Sequence, residues 1–205
     1  MPRERHYWLF KSEPECFSIQ DLARSPDQTT FWDGVRNYQA RNFLRDQIKL
    51  GDEVLYYHSN SDPNVVAGRA VVVREGYPDH TAWEPGSDHF DPQASPINPI
   101  WQMVDIKLAE IFVEPIALES LRDVPALKEM ELLRRGSRLS VQPVRKSEFE
   151  TIVKLAHAKP AAGMSATAEP VATKKGTAKG KTTKRGVKRP TIAKLKKSTV
   201  KSRRA

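Results

Sequence analysis

The sequence contains one cysteine, Cys16, which excludes an internal disulfide, and no Cys/His spacing resembles a zinc site. No apolar run approaches the roughly 18 residues a membrane span needs. The opening Met-Pro-Arg-Glu-Arg-His enters a strand-like run without the charged-then-apolar layout of a signal peptide. Glycine-rich phosphate loops and internal repeats are likewise missing. These absences predict a soluble, intracellular protein with no membrane span and no metal; it is further expected to be a monomer without a cofactor. At 205 residues the chain suits one ordinary domain plus additional chain.

Two further scarcities are regional. All 16 aromatic residues precede Ala158, and beyond it only one acidic residue, Glu169, remains. Residues 1–158 carry 19 Lys and Arg against 24 Asp and Glu, a net of −5, whereas residues 159–205 carry 15 cations and that one acid, a net of +14. The organisation predicted is an acidic globular body, 1–158, and a basic tail, 159–205. Lys, Ala, Thr, Gly, Pro and Ser dominate the tail, which cannot offset a chain entropy of about 1–2 kcal/mol per residue and is expected to be disordered. Its repeats, such as Thr173-Lys-Lys-Gly-Thr-Ala-Lys-Gly-Lys181, resemble linker-histone tails. Lys174, Lys175, Lys179, Lys181, Lys184, Arg185, Lys188 and Arg189 are candidates for contacting a nucleic-acid backbone by counterion release. Without aromatics to stack on bases, the tail supplies no base specificity. A solubilising or localisation role is the alternative, and Lys184-Arg-Gly-Val-Lys-Arg189 suits nuclear import in a eukaryotic host.

Within the body, His6–Lys11, Glu53–His58, Val65–Val73 and Gln102–Phe112 read as strands, with Gly68 as a bulge or close-approach point. A capping-box pattern at Ser18-Ile-Gln-Asp21 opens a short helix. Ala40, Phe43, Leu44, Gln47 and Ile48 share one helical face. Residues 118–121 and 126–133 read as helical and 137–141 as extended. Ser147-Glu-Phe-Glu150 resembles a second capping box, opening a closing helix to about His157. The proline-rich stretch 78–100 shows little periodicity, and long loops of this kind are usually functional. Strands interspersed with short helices and no βαβα rhythm indicate an α+β domain with a mostly antiparallel, barrel-like sheet.

The polar groups at the predicted strand ends carry the chemistry. Lys11-Ser12-Glu13 follows the first strand, and Tyr57-His58-Ser59-Asn60 ends the second, offering donors and acceptors for a base edge or, alternatively, simple turn caps. Trp8 reads as core, while Trp32, Trp83 and Trp101 lie on or beside loops, where tryptophans often serve recognition. Arg134-Arg-Gly-Ser-Arg138 can hold a phosphate through guanidinium forks and backbone N–H groups, or can merely balance Glu129 and Glu131. Lys11 with Glu13 is the one pair suited to proton shuttling. Cys16 has no partner signature for a nucleophile.

Tyr7-Trp-Leu-Phe-Lys-Ser-Glu-Pro14, Trp32-Asp-Gly-Val-Arg-Asn37, Gly51-Asp-Glu-Val-Leu-Tyr-Tyr-His-Ser59, Tyr77-Pro-Asp-His-Thr-Ala-Trp83, Trp101-Gln-Met-Val-Asp-Ile106 and Ser137-Arg-Leu-Ser-Val-Gln-Pro143 together resemble the EVE domain family. The matches run in order from about Tyr7 to Ile152 and exclude the tail. The resemblance implies a PUA-like twisted β-barrel flanked by short helices. It also implies a non-enzymatic nucleic-acid-binding protein that reads a modified base, such as methylated or hydroxymethylated cytosine, in an aromatic pocket. By the same resemblance that pocket draws on Lys11, Ser12, Glu13, Trp32, Arg36, Asn37, Tyr57, His58, Ser59, Trp101, Arg138, Leu139 and Ser140. Two alternatives stand beside it: an ASCH-like hydrolase of a modified nucleoside using Lys11 and Glu13, and a scaffold acting through the tail alone. The partner in every non-enzymatic case is DNA or RNA, at the nucleoid of a bacterium or in a eukaryotic nucleus.

Overall fold

The computed structural model describes residues 3–158. The tail expectations, including disorder and phosphate contact by Lys174 to Arg189, lie outside the described residues. Six strands form a single sheet: β1 (Tyr7–Ser12), β2 (Thr29–Trp32), β3 (Glu53–His58), β4 (Val65–Pro78), β5 (Gln102–Ala117) and β6 (Val141–Val144), in the order β2-β5-β4-β3-β1-β6. Only β1 and β3 pair in parallel; the other neighbours are antiparallel. The helices are short: α1 (Ile19–Arg24), α2 (Tyr38–Asn42), α3 (Leu118–Arg122) and α4 (Lys146–His157).

Strand alternation sorts the core into two layers. On one face, Trp8, Phe10, Val54 and Tyr56 pack with Ile19 and Leu22 of α1 and with Ala40 of α2. On the other, Leu9, Leu55 and Tyr57 pack with Leu121 of α3 and with Phe149 and Ile152 of α4. Gly68 sits where the β3–β4 and β4–β5 registers shift, and a side chain there would meet the Glu110 carbonyl and the Ile19 methyl. The close approach expected at this glycine is therefore present. Asp52, fully buried, ties the chain start to the β3 turn by accepting from His6 N at 3.1 Å, Trp8 Nε1 at 3.0 Å and Lys49 N at 2.9 Å.

Several expectations need correction. The sheet is not a closed barrel: its edges, β2 and β6, are four residues each and unpaired with one another among the described residues. Closure needs the two edges hydrogen-bonded, and Pro143 in β6 has no N–H to give, which suits an open edge. Strand β2 was not expected, because Trp32-Asp-Gly reads as a turn. The helix anticipated over residues 126–133 is two 3₁₀ turns, Pro125–Leu127 and Glu131–Leu133. Residues 137–140 are irregular, and the strand begins at Val141. Helix α4 starts earlier than the Ser147 pattern implies, since Glu148 reaches back to the Arg145 N–H at 2.8 Å. The box at Ser18 is as expected, with Asp21 and Ser18 bonding reciprocally.

Candidate nucleic-acid interface

The parallel pairing of β1 with β3 sets Lys11 beside Tyr57 and Ser12 beside His58 at one end of the sheet. Beyond the strands, Ser59 N donates to Ser12 O at 2.9 Å, and Asn60 Nδ2 to Glu13 Oε1 at 2.6 Å. Lys11 N donates to Ser140 O at 2.8 Å, which brings the segment before β6 to the same end. Ser12, Glu13, Ser59 and Ser140 thus converge, all at least partly exposed. His58 is buried, and its Nε2 accepts from Ile19 N at 3.1 Å, so its proton resides on Nδ1. Burial lowers its pKa from the usual 6.5.

Alternation separates residues that sequence adjacency groups together. Ser12 and His58 share the face of Trp8 and Phe10, whereas Lys11 and Tyr57 share the face of Leu9. The Lys11 ammonium lies 6.0 Å from the Tyr57 ring centroid. Burial lowers its pKa, with nearby Glu131 acting in the opposite direction. Desolvation likewise raises the Tyr57 phenol. Glu13 is engaged by Asn60, and among the described residues it forms no ion pair with Lys11.

Trp32 and Trp101 are buried, at 7% and 5% exposure, rather than displayed on loops. Trp32 packs on Phe10 at 5.1 Å and edge-on to Tyr56 at 5.4 Å, between ring centroids. Phe10 and Tyr56 precede Ser12 and His58 by two residues on the same sheet face, so Trp32 packs just inside the converging strand ends; Leu139 packs against the same large cluster. Trp101 belongs to a separate small cluster with Ala82 and Ala94, against which half-buried Trp83 packs. Its Nε1 donates to Asp91 Oδ2 at 2.6 Å.

Arg36 and Asn37 are occupied by the fold. The Arg36 guanidinium bonds Asp79 Oδ2 at 2.7 Å, contacts the His89 carbonyl and lies 5.4 Å from the Trp101 ring. Asp79, fully buried, also accepts from Gly34 N and from the Thr81 N–H and hydroxyl. Burial alone would raise its carboxyl, but the bonds from Thr81 and Arg36 and the Arg36 charge outweigh that and hold it below the usual range. The Asn37 side chain caps α2 by accepting from Gln39 N and Ala40 N. The stretch 78–100 is therefore a built loop, anchored through Asp79 and Asp91 to the 33–37 turn and Trp101.

Arg138 and Leu139 line a cleft of about 340 Å³ together with Arg134, Arg135, Gly136, Ser137, Glu131, Gln39, Phe43 and Pro143. Residues 134–137 form a turn in which Ser137 N donates to Arg134 O at 3.3 Å and Gly136, at φ +84°, takes the third position. A positive φ at that position favours glycine, as in type II turns. Sequence reasoning singled out the Arg134–Arg138 run but missed Gln39 and Phe43, whose i, i+4 spacing across α2 and the following π-helical turn was the available signal. Gln142 was missed too. It is fully buried beneath this segment, a polar side chain at a position where strand alternation points inward.

Among the described residues no group of three or more His, Cys, Asp or Glu is placed to hold a metal. No described helix is long and apolar enough to cross a membrane.

Residues 6–155 match the EVE domain family. This chain belongs to that family. Thymocyte nuclear protein 1 of Rattus norvegicus is 44% identical to this EVE domain protein over 173 residues, covering 76% of each chain. A hypothetical protein from Leishmania major superposes with a TM-score of 0.71 at 46% identity, over 75% of this chain and 95% of that one. Human THYN1, crystallised in complex with 5-methylcytosine-containing DNA, superposes with a TM-score of 0.72 at 43% identity, over 76% of this chain and 99% of that one.

Proposed function

We propose that this EVE domain protein binds nucleic acid and reads a modified cytosine-type base, methylated or hydroxymethylated, without catalysis. The observation that carries this reading is the likeness, at 43% identity over 76% of the chain, to a human protein whose structure is a complex with 5-methylcytosine-containing DNA. The converging end of β1 and β3 suits such a base. Ser140 presents a hydroxyl and Glu13 a carboxylate for its hydrogen-bonding edge, while the Ser12 hydroxyl, which donates to the Phe17 carbonyl at 2.7 Å, and that of Ser59 keep lone pairs to accept, beside the apolar cluster that includes Trp32 and Leu139. Of the other residues in the family-derived pocket, Arg36, Asn37 and Trp101 shape the neighbouring turn, His58 holds α1 to the end of β3, Lys11 and Tyr57 lie on the opposite face of the sheet, and Arg138 borders the adjoining cleft.

The basic tail adds sequence-independent affinity, because its 15 cations displace counterions from phosphates while the body, at net −5, gains nothing from long-range attraction. This division of labour places the protein with nucleic acid, in a eukaryotic nucleus or at a bacterial nucleoid. The test titrates the full chain, by tryptophan fluorescence, with single-stranded and duplex oligonucleotides carrying unmodified, 5-methyl, 5-hydroxymethyl or N6-methyl bases. Saturable binding that favours a modified cytosine is the expected result. Because Trp32 is core, Trp32→Phe, which keeps most of its volume, is the informative variant. Equal affinity for every oligonucleotide would leave the scaffold reading in its place.

A further inference from the structure

We infer that the 134–138 turn is a phosphate subsite built into the body itself, and that the buried Gln142 amide positions it. The inference rests on the reading above only in taking the phosphate to be that of a nucleic-acid strand.

The fold leaves several charges of this turn free. Arg134, exposed, lies 3.6 Å from the half-buried Glu131, an i, i+3 pair of little strength. Arg135 and Arg138 take part in no hydrogen bond or ion pair among the described residues, and neither does the Gly136 N–H. All of them border one concave cleft. Glycine at positive φ leaves its N–H unobstructed by a side chain, so the turn offers one backbone donor, the Ser137 N–H being committed to Arg134 O. Two forked guanidinium groups beside it match a tetrahedral anion. Phe43 is the only aromatic residue bordering the cleft, so it offers no pair of rings between which a base could stack. The cleft therefore suits a phosphodiester better than a base, and it adjoins the strand end where Ser140 meets Lys11.

A buried side chain keeps the turn in shape. Gln142 is fully buried in β6, opposite Leu9. Its Nε2 donates to Ser137 Oγ at 3.0 Å and to Leu139 O at 3.2 Å. Because the Leu139 carbonyl only accepts, the amide orientation is determined: nitrogen faces the turn, and Oε1 is the one buried side-chain polar atom without a partner among the described residues. The two donations tie the Ser137 side chain and the Leu139 backbone to one buried group. It has a chemical consequence as well. Ser137 Oγ, by accepting from Gln142, keeps its own O–H proton available to donate into the cleft. Gly136 N–H, Ser137 O–H, Arg135 and Arg138 then form a four-donor set held from below.

The test uses the full chain and inorganic phosphate as probe, read by amide chemical shifts at Gly136 and Ser137, which tail lysines do not report on. Phosphate shifts both amides in the wild type. Arg135→Gln with Arg138→Gln abolishes the shifts, and Gln142→Met, which keeps side-chain bulk but loses the donor, abolishes them with both arginines intact and the rest of the spectrum unchanged. With an oligonucleotide, the double arginine variant lowers the salt slope of binding by about 1 per lost phosphate contact and leaves the modified-to-unmodified affinity ratio untouched. Absence of phosphate shifts in the wild type overturns the subsite, even if modified DNA binds. Shifts that persist in Gln142→Met overturn the positioning role. A double arginine variant that keeps its salt slope but loses base preference overturns the assignment to phosphate. Phosphate shifts without selective oligonucleotide binding would uphold this subsite and discard only the base-reading proposal.

Discussion

Two loops of this domain carry arginines, and the fold treats them in opposite ways. In the stretch 78–100 and its partner turn 33–37, charges are consumed internally: Arg36 is bound by Asp79 and the His89 carbonyl, Asp91 by Trp101, and Asp33 by His89 at 3.1 Å. In the stretch 134–140, the guanidinium groups of Arg135 and Arg138 are left unpaired, while one buried amide holds the backbone. The first loop uses ionic groups to define a shape, and the second uses shape to present ionic groups. An arginine in a recognition motif is available to a ligand only if the fold has not already spent it, and sequence position alone does not reveal which case applies.

The contrast can be broken deliberately. Asp79→Ala removes the acceptor of four donors and leaves the Arg36 guanidinium without its partner. The expected loss is about 3–5 kcal/mol in urea unfolding, with phosphate response at Gly136 retained in the folded fraction. Gln142→Met sits between the two regimes: losing two donations to the turn costs about 1–2 kcal/mol and also removes the phosphate response. Arg135→Gln with Arg138→Gln marks the other extreme. Unfolding midpoints stay within roughly 0.5 kcal/mol of wild type while the salt dependence of nucleic-acid binding weakens.

His58 sharpens the comparison, because it too is a polar group used for structure. Its pKa is lowered in the folded state by burial, and the Ile19 N–H bond requires an unprotonated Nε2. Above the usual 6.5 both folded and unfolded chains hold it neutral, so it contributes no pH dependence there. As pH falls below that value the unfolded chain takes up a proton that the folded chain resists, and stability declines. Urea midpoints measured at pH 7 and pH 5 should show this decline in the wild type and less of it in His58→Gln, whose amide oxygen can accept the same bond.

Much of the scaffold was legible before the structure. Strand β3 matches its predicted bounds, β1 does so to within a residue, and the Ser18 box follows from local chemistry that needs no distant partner; Gly68 was legible as a special position although its neighbours, Glu110 and Ile19, were not. What escaped was long-range. Strand β2 is four residues long, and only its pairing with β5 makes Phe31-Trp32 extended rather than part of a turn. The openness of the sheet depends on which edges meet, which no local pattern encodes. At the site, strand parity alone would have separated Lys11 from Ser12. The commitment of Arg36 to Asp79, 43 residues away, and the service of Gln142 to Ser137 and Leu139 are properties of packing. The burial of Trp32 and Trp101 is likewise set by partners remote in sequence, Phe10 and Tyr56 for one and Ala82 and Asp91 for the other.

The most direct test of the account compares two duplexes that differ by a single 5-methyl group on one cytosine, each titrated with the full chain and with the Arg135→Gln, Arg138→Gln variant at several salt concentrations. The account predicts that the wild type prefers the methylated duplex, and that the variant weakens both affinities by the same factor with a shallower salt slope. Equal wild-type affinity for the two duplexes, or a variant that loses the preference while keeping the slope, would contradict it.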